Sequence, residues 1–270
     1  DGHLRLSPGL ELLAKLDAPI IWASVSDKDG TIYFTTGGDS AQGELMKMTP
    51  EGVVSSVFKA EEPLLGALAI DAKGVIYFSS SPEGAVYRLL PGGKPEIFFR
   101  PTQTYIWGLL ATADGRLFIA TGTPKATIYC LSAASNLNDP ASCVWFSCDQ
   151  KDFTLMAQSK DGSIIAGTGS SGFLYRITQK NQAQVLAFTE GEEITGMDFG
   201  QDGSIYFCTF VSSKKNDPSK VDQAVAFMPK EGDKPGQPAL VQLADKPSAA
   251  KKAELGSFYR IDPQGFVLPL

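Results

Sequence analysis

Short runs of four to seven residues, in which apolar and polar positions alternate, recur along the chain between clusters of Gly, Pro, Asp and Ser. Alternation with a period of two sends successive side chains to opposite faces of a strand, and no helical period accompanies it. The pattern predicts sheet from one end to the other.

The runs are themselves repeated. Aligned on the glycine of an acidic turn, DKDGTIYFTTG (Gly30), DAKGVIYFSSS (Gly74), TADGRLFIATG (Gly115), SKDGSIIAGTG (Gly162) and GQDGSIYFCTF (Gly203) follow one another at intervals of 44, 41, 47 and 41 residues. A second phrase follows each: GELMKM, GAVYRL, ATIYCL, GFLYRI and, after a long insertion, GSFYRI. Each unit reads as four antiparallel strands, in the fourth at about 153–158, 163–168, 172–177 and 184–188. The Asp-Gly pair falls in the hairpin between strands one and two, where glycine supplies positive φ without steric cost. Units of this length and strand count are propeller blades, which pack face to face around a channel.

The predicted fold class is therefore all-β: a β-propeller of four-stranded antiparallel blades in one domain, with blades at about 17–60, 61–101, 102–149, 150–190 and 191–270. HLRL and LELLAKL, within residues 1–16, match strands three and four of a further, partial blade, so a six-bladed ring is expected. GTGSSG at 167–172 has the glycine order of a dinucleotide loop, but that loop must open a helix, and FLYRI after it reads as a strand. Its spacing is hairpin chemistry.

The phrases DGxIYFxTG and GxLYRI resemble the NHL, SMP-30 and strictosidine-synthase-like group of β-propellers over about residues 4–270. PTQTYIWGLLATADGRLFIATG also resembles bacterial propeller proteins that are often longer than this chain. The resemblance speaks for fold more than function, because propellers serve lactonases, sugar binders and docking platforms alike. SMP-30-like lactonases hold a divalent ion through a Glu near the first blade and inward-facing Asn and Asp. Here Thr35 and Thr36 stand where an aspartate belongs, no Glu accompanies Trp22, and Asp198 is the one carboxylate clearly inside a first-strand run. No metal, cofactor or catalytic residue is therefore expected.

Composition narrows the chemistry further. A formal charge of -6 and a pI near 4.9 argue against a nucleic-acid partner, and no apolar run approaches the roughly 18 residues of a membrane span. The one histidine, His3, lies at the N-terminus, which removes Ser-His-Asp and Cys-His catalysis and most zinc sites. DGHLRLSPG lacks the blocks of a signal peptide; the expectation is an exported protein whose signal is not in this sequence.

Candidate contact residues follow from the repeat. Eight residues before each aligned glycine stand Trp22, Gly66, Trp107, Thr154 and Thr195, at the entry to the inner strand. Trp22 and Trp107, with Tyr105, form either an aromatic platform at the channel mouth or a filling between blades. Stacking on about 100 Å² of one indole yields about 2.5 kcal/mol against the roughly 4 kcal/mol of a millimolar complex. Partners such as Gln103, Asp39 or Ser170 must add hydrogen bonds. Acidic residues gather on the same rim: Glu61, Glu62, Asp149, Asp152, Glu190, Glu192 and Glu193, a solvated surface or a docking patch for a basic partner.

The insertion Ser212–Glu254 reads as a lid, an extra hairpin, a partner-binding arm or a segment without function. Cys130 and Cys143 end and open adjacent strands of the third blade, a spacing that suits a disulfide, while Cys148 and Cys208 complete no metal spacing. The sequence thus predicts a non-enzymatic binding propeller that takes a small molecule or glycan at the channel mouth or a protein partner on the rim. A metal-dependent hydrolase of the lactonase type is the alternative.

Overall fold

The computed structural model describes residues 12, 14–16, 18, 20–38, 41–169, 171–189, 193–210 and 256–270. The expected partial blade at 1–16 and the insertion at 212–254 lie largely or wholly outside the described residues, as do His3, Asp39, Ser170, Glu190 and Glu192.

Twenty described strands form five four-stranded antiparallel units. Blade 1 is β1 (Ile20–Ser26), β2 (Ile32–Gly38), β3 (Ala41–Met48) and β4 (Val54–Lys59); blade 2 is β5 (Leu64–Ile70), β6 (Ile76–Ser81), β7 (Val86–Leu89) and β8 (Glu96–Phe99). Blade 3 is β9 (Tyr105–Ala111), β10 (Leu117–Gly122), β11 (Thr127–Leu131) and β12 (Val144–Ser147), with a 3₁₀ turn at Pro140–Cys143 before its last strand. Blade 4 is β13 (Phe153–Gln158), β14 (Ile164–Thr168), β15 (Phe173–Gln179) and β16 (Gln182–Phe188), and blade 5 is β17 (Glu193–Phe199), β18 (Ile205–Phe210), β19 (Gly256–Ile261) and β20 (Val267–Pro269). A single residue pair, Gly37 with Leu64, joins blades 1 and 2 into one continuous sheet.

The alternation read in the sequence is the reason these units are blades. Along β10, Leu117 and Ile119 enter a cluster with Val86, Phe99 and Tyr129, whereas Phe118 and Ala120 enter another with Phe153 and Ile164. A strand buried on both faces needs a sheet on each side. Ile164 and Ala166 of β14 repeat the arrangement toward blade 3, and Ile165 toward Phe207 of blade 5. Four such clusters fill the gaps between successive blades, and burial of this apolar surface, at about 25 cal/mol per Å², is what holds neighbour to neighbour.

The inner strands pack in the order β1, β5, β9, β13, β17, and among the described residues no comparable contact or buried cluster returns from blade 5 to blade 1.

The acidic-turn glycines all occupy the left-handed region, with φ of 81, 80, 81, 84 and 88 at Gly30, Gly74, Gly115, Gly162 and Gly203. The acid before them shapes the turn from its side chain: Asp27 Oδ1 accepts from the amides of Asp29 and Thr31, and Asp71 Oδ1 from those of Lys73 and Val75. GTGSSG closes a hairpin between β14 and β15, with Gly172 at φ 63, and FLYRI is strand throughout.

Cys130 and Cys143 are not bridged; both are free thiols, as are Cys148 and Cys208. The reason is the face each one takes. Cys130 leans on the cluster between blades 3 and 4, whereas the 3₁₀ turn delivers Cys143 to the cluster between blades 2 and 3, on the other side of the sheet. Burial pushes the thiol of Cys130 above its ordinary range.

Candidate functional site

Each inner strand carries an irregularity at the same place. In β1 the pairing runs from Ile21 to Ala23 and skips Trp22; in β9 it skips Trp107, in β13 Thr154 and in β17 Thr195. In β5 the shift spans Gly66 and Ala67. These are β-bulges, which place an extra residue opposite one partner and re-aim its side chain. All five positions singled out by the repeat are bulge positions, so the chain departs from ladder pairing once per blade where it enters the central strand.

Trp107 and Trp22 are 46% and 48% exposed. Blades 2 and 4 pack against both flanks of the Trp107 sheet, and the indole stays half-exposed at the bulge of its inner strand. Trp22 belongs to the first blade, whose outer flank has no comparable described neighbour, and it shares its exposure with Ile20 and Ile21. The bulge between the two tryptophans, at Gly66, carries no side chain. Tyr105 lies beside Trp107 with ring centroids 5.8 Å apart and planes 27° from parallel.

The polar residues sort differently from the sequence expectation. Gln103 is committed within blade 3: its carbonyl oxygen accepts from the Tyr129 hydroxyl, and its amide donates to Thr127 Oγ1 at 3.2 Å. The Thr154 hydroxyl donates to the backbone carbonyl of Ile194 at 2.9 Å, tying blade 4 to blade 5. Thr35 does the same between blades 1 and 2, donating to the Gly66 carbonyl at 2.6 Å. Thr195 remains exposed, within 3.6 Å of Cys208 Sγ. Asp198 is exposed, and its carboxylate accepts from the Phe199 amide.

The residue that sequence reasoning undervalued is Asp152. Placed there among solvated rim acids, it is only 8% exposed. Trp107 Nε1 donates to its Oδ1 at 3.3 Å, and its backbone pairs with Gly122 and accepts from the Gly169 amide. The carboxylate fills a gap that only glycine leaves open, since a Cβ at Gly122 would lie 2.0 Å from Oδ1 and 2.9 Å from the indole nitrogen. A signal existed in the repeat: Asp152 stands ten residues before Gly162, as Tyr105 stands ten before Gly115. The site that assembles is Trp107, Tyr105 and Asp152, held across the junction of blades 3 and 4.

Three of the other described rim acids have separate surroundings. Glu61 and Glu62 line a cleft of about 620 Å³ beside Pro63, Tyr87 and Arg100, where Glu62 accepts from the Ser80 hydroxyl, and Asp149 pairs with Lys125 at 2.9 Å. A larger cleft of about 810 Å³ opens on the opposite rim, among the acidic turns of blades 1 and 2. It touches none of the bulge residues, and its charged lining, Asp27, Lys28, Asp29, Lys47, Asp71 and Lys73, is turn-forming in part. Among the described residues no group of three His, Cys, Asp or Glu is arranged to hold a metal ion, and no helix is long and apolar enough to cross a membrane.

No protein-family model and no curated protein matches the chain. Solved structures do. A streptogramin B lyase is similar with a TM-score of 0.61 and 14% identity over 95% of this chain and 84% of its own. A catalytically inactive variant of virginiamycin B lyase from Staphylococcus aureus, described with quinupristin, gives 0.53 and 10% over 92% and 83%. A gluconolactonase from Xanthomonas campestris gives 0.51 and 14% over 69% and 68%. Likeness at such identities concerns architecture, and in architecture this chain is a β-propeller.

Proposed function

We propose that this propeller binds a small molecule at the mouth of its central channel without transforming it. The observation that carries the reading is the half-exposed Trp107, presented by a bulge between two intact neighbouring blades. An indole meant only to fill space would be buried there, because an apolar ring left in water forgoes about 25 cal/mol per Å².

Stacking on one ring falls short of even millimolar affinity, so a polar anchor is needed. Asp152 supplies it: a carboxylate beside the ring adds a charge-assisted hydrogen bond of about 1.5–3 kcal/mol, and the sum reaches millimolar strength or better.

A lactonase reading draws on the gluconolactonase likeness, but the residues do not fit it. The threonines standing where the SMP-30-like pattern has aspartate, Thr35 and Thr36, are buried and spend their hydroxyls on the Gly66 and Glu44 carbonyls. For the lyase reading, the inactive lyase carries a replaced histidine, and no histidine stands among the residues described here.

Binding is tested by isothermal titration with maltotriose and with phenethylammonium chloride on the native protein and on the Trp22→Ala, Trp107→Ala double variant. Heat of binding that the double variant loses while keeping its β circular dichroism supports the reading. Binding that survives in the folded double variant, or a lactone turned over with a divalent ion, rejects it.

A further inference from the structure

The geometry points to an organic ammonium as the ligand of the Trp107, Tyr105 and Asp152 site, an inference that rests on the channel-mouth reading and deepens it. Three observations converge on positive charge.

The first is the acid itself. Asp152 is more than nine-tenths buried, yet among the described residues it has no Lys or Arg partner; its one side-chain contact is the indole N–H at Oδ1. A carboxylate so placed has exchanged much of its hydration for a single neutral donor, and among the described residues its second oxygen, Oδ2, accepts no hydrogen bond. Buried carboxylates are otherwise paired or well hydrogen-bonded. Oδ2 lies near Gly169, where a Cβ would sit 3.5 Å from it, so no side chain of that residue covers it. Of the lysines near Asp152 in the fold, Lys125 of the 122–126 hairpin is paired with Asp149, and Lys151, next to Asp152 in the chain, makes no ion pair with it.

The second is the pair of rings. Trp107 and Tyr105 are 46% and 37% exposed and lie side by side. The faces of such rings are negative, and a cation within about 6 Å of a ring centroid is attracted to them. A neutral sugar would use the same faces, but it would leave the charge of Asp152 uncompensated. The third is the formal charge of -6 on the whole chain, which draws cations and repels anions.

A primary ammonium satisfies each element: it donates one N–H to Oδ2, lies over the indole, and carries a hydrocarbon or aryl body for Tyr105. Its neutral isostere, with a hydroxyl for the ammonium, keeps the stacking and loses the ion pair. The difference is expected to be tenfold or more in Kd, the size of a charge-assisted hydrogen bond in a partly desolvated site.

The experiment compares phenethylammonium, 2-phenylethanol and maltotriose by titration calorimetry against the native chain, Asp152→Asn and Trp107→Ala. The expected result is that phenethylammonium binds at least about tenfold tighter than 2-phenylethanol, and that Asp152→Asn erases this difference. If Asp152→Asn does not fold, salt gives the second readout on the native chain: raising ionic strength weakens the ammonium and leaves the alcohol unchanged. Equal affinity for the ammonium and the alcohol, no ammonium binding at millimolar concentration, or salt-independent ammonium binding overturns the cation inference. If maltotriose binds meanwhile in a Trp107-dependent manner, the channel-mouth site survives that failure; if Trp107→Ala changes nothing, both fall.

Discussion

Replacing Gly122 by alanine probes the assembled site through one methyl group. Gly122 is not among the glycines with positive φ, so the substitution brings no backbone strain, only contact. The new Cβ would lie 2.0 Å from Asp152 Oδ1, 2.8 Å from its Cγ and 2.9 Å from Trp107 Nε1, well inside van der Waals separation. The carboxylate must rotate away by an ångström or more, which breaks its bond with the indole. That bond is worth about 1.5–3 kcal/mol and overpacking costs about 1–3 kcal/mol; because one displacement relieves the clash by breaking the bond, the two overlap rather than add, for a cost of about 3 kcal/mol. For a chain of this size the loss lowers Tm by roughly 6–12 °C, which calorimetry or fluorescence melting reads directly. The control is the Asp152→Ala background, where only the 2.9 Å contact with the half-exposed Trp107 indole remains, so Gly122→Ala should cost clearly less than in the native chain. A Gly122→Ala protein that melts within about 1 °C of native, or an equal cost in both backgrounds, refutes the wedged carboxylate.

Other outcomes follow from the same contacts. Gly115→Ala meets nothing within 4 Å, so its cost is conformational alone, about 1 kcal/mol, and Gly115→Asn should cost less because Asn tolerates the left-handed region; denaturant midpoints compare the two. Thr35→Val removes the hydroxyl that meets the Gly66 carbonyl and should destabilise by about 1–2 kcal/mol by the same measurement. Ser163, with help from Arg176, holds the Asp161 carboxyl down to about 2, so its stabilisation is present above pH 4, is lost as pH falls through about 2, and at this exposed site amounts to under about 1 kcal/mol. Asp161→Asn should flatten that acid limb, and a carboxyl titrating near 4 by NMR contradicts it. Alkylation of unreduced, denatured protein should label all four cysteines; a mass deficit of two hydrogens would restore the Cys130–Cys143 bridge.

Much of the fold was legible because repetition multiplies a weak signal. One such turn between alternating runs is a hairpin; five in register, four of them Asp-Gly and one Lys-Gly, with the same second phrase, leave little besides blades. The positions Trp22, Gly66, Trp107, Thr154 and Thr195 stood out for the same reason, since they share one offset from their glycines, but that each one is a bulge came only with the strand register. What the pattern could not convey was the fate of each side chain once blades faced each other. Gln103 looked like a free amide, but the Tyr129 hydroxyl, two strands away, occupies it. Asp152 looked like one rim acid among several, and only the close approach of Gly122 and Gly169 buries it against Trp107. The disulfide expectation failed on face: the residues adjoin along the chain's path, but a 3₁₀ turn sends Cys143 to the opposite side of its sheet. Free thiols also leave the export expectation without support from the cysteines.

The indole N–H resonances of the three tryptophans provide the most direct measurement of whether the channel mouth is a binding site. In ¹⁵N-labelled protein titrated with phenethylammonium and, separately, with maltotriose, the Trp107 signal should move with at least one of them, while Trp145, whose N–H is shut between blades 3 and 4, stays in place. A Trp107 signal that neither compound moves at millimolar concentration contradicts the account.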